Sequence, residues 1–268
     1  MQSNQSPYET VDQAKISALR HQHAWLVDPL YKASEAVTTM PFFNWVRNIE
    51  DVREFKPVAE QLYYHSATFP KVLGLMLGLT SLRENPMMPF YSKHAFGEAD
   101  HHMLLRDWML KHGLIESPLE LSQVITSVYT NSCVNLAYQL AVEQDREKWL
   151  VTINSGIERC SNDFFKVVAP KMYELDAGDI YFDIHVEADE HHSIMGLEYL
   201  ASPDGLAFDP ESHRAKVLLR KALEGVSLWG AMLHSWIGIN YLPLFDDKGQ
   251  LTNPVDEVTG SHRRVKIH

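Results

Sequence analysis

Two cysteines in 268 residues, Cys133 and Cys160, exclude a disulfide framework and a thiolate zinc pattern. No apolar stretch approaches the roughly 20 residues that cross a bilayer, and the opening MQSNQSPYETVDQAKISALR lacks the apolar centre of a secretion signal. Basic residues are scarce as well: 24 Lys and Arg stand against 35 Asp and Glu, a formal net charge of -11. That balance argues against nucleic acid or an anionic membrane as partner. The one basic cluster, SHRRVKIH, closes the chain and reads as a frayed tail. Alternating strand runs with hairpin turns are missing, as is any repeat of solenoid length. A cytoplasmic protein is the expectation.

What remains is helical. Apolar residues recur at three- and four-residue steps in VDQAKISALRHQHAWLVDPLYKASEAV and in FKPVAEQLYYHSATFPKVLGLMLGLTSL. DHHMLLRDWMLKHGL repeats the pattern and reaches Gly113, a candidate helix stop. The run from Glu120 to Val168 holds one long helix and part of a second, GDIYFDIHVEADEHHSIMGLEYLA follows, and ESHRAKVLLRKALEGVSLWGAMLHSWIGIN closes the pattern. RENPMMP, ESPLE, ELDAGD and SPDGLAFDP read as short loops rather than linkers. The pattern predicts an all-α bundle of about seven helices, a single domain over 1–268.

Two triplets interrupt this ordinary surface. His185, Asp189 and His192 stand at offsets of four and three, as do His94, Glu98 and His101 some ninety positions earlier. On a helix such offsets keep three side chains within about 60° of one another. A carboxylate-x2-His pair from each of two helices is how bundles hold two iron or manganese ions. Carboxylates bridge hard cations, and neutral imidazoles suit Fe(II). A third carboxylate is needed, and Glu143 follows the apolar LAV at seven residues from both Leu136 and Leu150. Glu147, one turn on, is the reserve.

Plainer readings compete with these. A lone Glu-x2-His on a helix is usually surface decoration. His102 and His191 are rotated by about 100° from the proposed ligands and read as supporting or solvent-facing groups. His94 either joins the ligands or only hydrogen-bonds Glu98. Glu116, Glu158, Glu187 and Glu190 read as solvated charges. Two matching triplets with a mid-helix glutamate are harder to dismiss together than singly.

The segments HSATFPKVLGLMLGL, HHMLLRDWMLKHGL, AVEQDREKW and HVEADEHH resemble, in that order, those of the haem-oxygenase-like diiron oxidase/oxygenase family. The resemblance covers about residues 58–200 and is most specific in HVEADEHH. It implies a seven-helix haem-oxygenase-like fold and iron ligands at His101, Glu143, His185, Asp189 and His192. Glu98, three positions before His101, resembles the arrangement in the fatty-acid-decarboxylating, alkene-forming branch and is taken as the sixth. The implied activity is O2 activation at two Fe(II), with manganese as the alternative metal, to oxidise a carboxylate or amine substrate by C–C cleavage or N-oxygenation. An external electron donor and a homodimer are the implied partners. Two other readings stand beside it: a ferritin-like iron-handling protein, and a metal-free thiaminase-like hydrolase or binding scaffold.

Overall fold

Several helices start where the sequence offers a cap or a proline. The computed structural model describes residues 13–81, 87–200 and 209–254, without the side chains of 13–16, 187–191, 194 and 195. In order, α1 (Gln13–Gln22), α2 (Ala24–Thr38), α3 (Pro41–Asn48) and α4 (Lys56–Leu79) lead to α5 (Met88–Gly97) and α6 (His101–Lys111). Then come α7 (Val128–Glu143), α8 (Arg146–Trp149), a π-helical segment (Leu150–Glu158), α9 (Arg159–Glu174), α10 (Ile180–Met195) and α11 (His213–Trp236). Ser127 and Ser212 cap α7 and α11 by accepting from the backbone N–H of Thr130 and Ala215. Gly113, at φ +66°, ends α6 in the left-handed conformation that glycine adopts without penalty.

Segment α8, the π turns and α9 form one rod, so ten separate helices lie among the described residues where about seven were expected. Two of the extra helices start at prolines: Pro41 opens α3, in a stretch given no helix from the sequence, and Pro89, inside the expected loop RENPMMP, opens α5. His23 divides the first expected helix in two. Part of the loop expected over 83–89, most of that over 202–210 and the tail 261–268 lie outside the described residues. Among those described, extended pairing is limited to the bridge between Phe245 and Leu251, and no helix is long and apolar enough to cross a membrane.

Helix α11 packs on the π segment and α7, α10 on α9 and the π segment, and α4 on α5, α6 and α7. The contact between α11 and the π segment is close enough to need a glycine. A Cβ on Gly225 would stand 2.9 Å from Thr152 Cγ2. Phe164 anchors the core, stacked on Phe42 at 6.0 Å and edge-on to Phe43, Phe165, Trp229 and Trp236. These packed layers hold α5, α6, the π segment and α10 around one buried polar cluster.

Candidate metal centre

Glu98 is the first residue past α5, its N–H donating to the His94 carbonyl at 3.0 Å. Helix α6 restarts at His101, so His94, Glu98 and His101 are not on one continuous helix as the spacing suggested. The break helps. It leaves the Glu98 carboxylate buried between two histidine pairs, His94 with His192 (ring centroids 4.3 Å apart) and His101 with His185 (4.5 Å). Oε2 of Glu98 is 3.0 Å from His101 Nδ1, whereas Oε1 is 3.5 Å from His192 Nδ1 and 4.0 Å from His94 Nε2. His94, Glu98 and His192 form one potential metal-holding trio, and Glu98, His101 and His185 a second, with ligand atoms within 4.8 Å of one another in each. One carboxylate thus turns one oxygen toward each trio.

The second buried carboxylate is Glu158, at the end of the π segment. Its Oε2 accepts from His192 Nδ1 at 3.2 Å. Its Oε1 stands 2.9 Å from His94 Nε2, yet the pair lacks hydrogen-bond geometry and neither atom has another hydrogen bond. Two ligands of one cation can stand this close without a hydrogen bond, and with the two trios the donor set fits a metal.

Glu143, expected as the bridging ligand, is not there. It is the exposed last residue of α7, bonded to Gln139 Nε2 and Lys148 Nζ at 2.8 Å each. The seven-residue argument failed because the chain leaves the helix at Gln144, whose φ is +54°, so Leu136 and Leu150 lie on different helices. Glu147 bonds Arg214 at 2.8 Å. Glu158, read as a solvated charge, takes the interior position instead. LVTINSGIE carries no other charge, but Thr152, Asn154 and Ser155 interrupt its apolar pattern, so the sequence did not mark its lone carboxylate as interior. Asp189 lies on α10 between His185 and His192, and its side chain is outside the described residues, as are those of Glu187, Glu190 and His191.

Electrostatics follow from burial. His185 donates from Nδ1 to the Tyr181 carbonyl at 2.6 Å, which directs the Nε2 lone pair elsewhere. Burial, then neighbouring His101, pushes its pKa down to about 3, so the ring is neutral and ready to ligate. Burial alone would raise Glu98, but the hydrogen bond from His101 and the charges of His101, His192 and His94 outweigh it and hold the carboxylate well below its usual range. Glu158 is held at about 2, where His94 and His192 overcome the burial penalty. Conversely, these carboxylates overcome burial at His94 and His101 and raise both.

Glu98, Glu158 and His185 also line a cavity of ≈ 50 Å³, space for several waters. Leu62, Phe69, Ile153, Ile157, Phe165 and Trp229 make most of its remaining wall apolar, and among the described residues no lysine or arginine lines it. Arg106, Arg146 and Lys166 are absent from that wall.

Helices of this arrangement around a buried His/Glu centre define a haem-oxygenase-like protein. The chain belongs to the family described as iron-containing redox enzyme, whose model matches residues 56–229. It is similar to the crystal structure of a TenA homolog from Pseudomonas syringae pv. tomato, with TM-score 0.69 and 14% identity over 87% of this chain and 99% of that one. A domain of unknown function with a heme oxygenase-like fold from Shewanella denitrificans is similar too, with TM-score 0.60 and 12% identity over 85% and 93%. At such identities the likeness speaks for the fold alone. No curated protein matches the chain.

Proposed function

We propose that this protein is an O2-activating diiron oxidase or oxygenase acting on a small organic substrate. The observation that carries the reading is Glu98, whose two oxygens face different histidine pairs in a buried cluster. His101 and His185 would hold one ion, and His94, His192 and Glu158 the other, with Glu98 between them. Asp189, by its place on α10, is a candidate seventh ligand. Bound iron would supply the Lewis acidity and the electrons that O2 activation needs; manganese is the other metal suited to these donors. The chain's own part is to fix the imidazole tautomers, exclude water with the apolar wall, and hold a substrate bond beside the centre. With no lysine or arginine among the described residues of the cavity wall, a substrate carboxylate would find its counter-charge at the metal ions. An amine substrate, an external electron donor and a homodimer belong to the same proposal.

The two other readings fit less well. A ferritin-like centre would call for more interior carboxylates than Glu98 and Glu158, beyond which the buried acids among the described residues include only Asp163, bonded to Ser34 and Arg159. A thiaminase-like hydrolase needs a thiolate, and burial, then Cys160, pushes the Cys133 thiol up to about 12. The test is anaerobic Fe(II) loading followed by O2. Roughly two irons per chain, with O2 consumption that a chelator abolishes, is expected. Uptake of many irons, or none, would overturn the reading.

A further inference from the structure

The ligand-bearing stretch of α10 is gripped at two points by amides that the metal chemistry does not use. Asn162 Nδ2 donates to the Val186 carbonyl at 2.8 Å, and Asn154 Nδ2 donates to the His192 carbonyl at 3.3 Å. The two carbonyls bracket the segment that carries Asp189 and His192, and Val186 directly follows His185. Both asparagines are fully buried, and each leaves its Oδ1 without a partner, a cost that a leucine of similar size would avoid. A carbonyl can only accept, so the group each asparagine turns to α10 is its NH2.

Asn154, Glu158 and Asn162 stand four residues apart along one rod. In an α-helix a step of four overshoots one turn by about 40°. In the wider π turns the same step falls short. Because the rod changes from π to α at Glu158, the two drifts oppose, and all three side chains reach α10. Gly196 permits the approach at the far end, since a Cβ there would stand 3.2 Å from Asn154 Cβ.

We propose that Asn154 and Asn162 are positioning residues that dock α10 onto the π/α rod before any metal arrives, so that His185 and His192 are pre-aimed. The inference rests on the metal reading of the site only for its consequence, since the docking contacts involve only the chain's own amides and carbonyls.

The test compares Asn154→Leu and Asn162→Leu with wild type, and uses Thr152→Val as control. Thr152 is buried in the same π turns, and its hydroxyl bonds nothing. In the metal-free proteins, hydrogen exchange of the α10 amides should quicken tenfold or more in both asparagine variants, while α4 and α7 stay at the wild-type rate. Co(II), used as a spectroscopic probe, should bind 10- to 100-fold more weakly with altered visible bands. Thr152→Val should match wild type in both readouts. Unchanged α10 exchange would overturn the proposal. So would a rise shared by all helices, or by Thr152→Val, because the asparagines would then be ordinary core packing. If wild type bound no Co(II), the metal reading would fall, and the exchange arm would still decide whether the asparagines dock α10.

Discussion

Glu98 and His94 share a neighbourhood but not a role. Glu98 faces both trios, so Glu98→Ala should abolish O2-dependent turnover and uncouple the two ions. His94 faces one, so His94→Ala should weaken iron binding at that position and leave the His101/His185 side occupied; equal loss in both variants would contradict the division. Glu143→Ala removes only an exposed pair with Lys148 and an exposed hydrogen bond from Gln139, so it should cost less than about 1 kcal/mol and leave iron content at the wild-type value. The protonation of the centre gives a second test. His94 and His101 are raised above their ordinary 6.5, so both are charged at pH 6 and must lose a proton to ligate. Metal binding at pH 6 should therefore release on the order of two protons, falling toward zero as pH rises through the raised values; calorimetry in buffers of different ionisation enthalpy reads the number. A release that grows with pH would contradict the assignment. The helix face shared by His185 and His192 was legible from the His-x3-Asp-x2-His spacing, because imidazoles at helical offsets have few structural uses; the Asp189 side chain lies outside the described residues. Glu158 was not: its interior position depends on where the preceding helix ends, and that is set by a left-handed Gln144 that glutamine does not announce.

At the scale of elements, the centre is assembled from interruptions of regular helix. A break between α5 and α6 frees Glu98, and a run of π turns delivers Glu158 beside α10. Hydrophobic periodicity reports average helical pitch, so it found α4, α6, α7 and α11 but neither interruption. It also took Pro89, which opens α5, for part of a loop, since a proline at a helix start and one in a loop look alike without coordinates. The π segment is held from the other side by α11, at backbone distance. Gly225→Ala should destabilise the protein by about 1–3 kcal/mol through overpacking against Thr152 Cγ2. Thr152→Ser in the same chain should recover part of that loss in denaturant melts. Simple additivity of the two changes would contradict this contact.

Over the whole molecule, an aromatic core supplies stability and a polar centre of two carboxylates and four histidines sits within it. Phe164→Ala, at the hub of that core, should cost about 3–5 kcal/mol whether or not metal is present. Metal, by contrast, should raise the melting temperature of wild type, because it binds only the folded centre, and Glu158→Gln should lose most of that rise. The all-α class and the haem-oxygenase-like architecture were legible from helical patterning and motif order, since both depend on many residues at once. The most direct test of two ions sharing Glu98 is a crystal structure of the Fe(II)-loaded protein, with anomalous scattering measured at the iron edge. The account predicts two peaks about 3.5–4 Å apart, on either side of the Glu98 carboxylate, one beside His101 and His185 and the other beside His94, His192 and Glu158. A single peak, or iron bound away from Glu98, would contradict it.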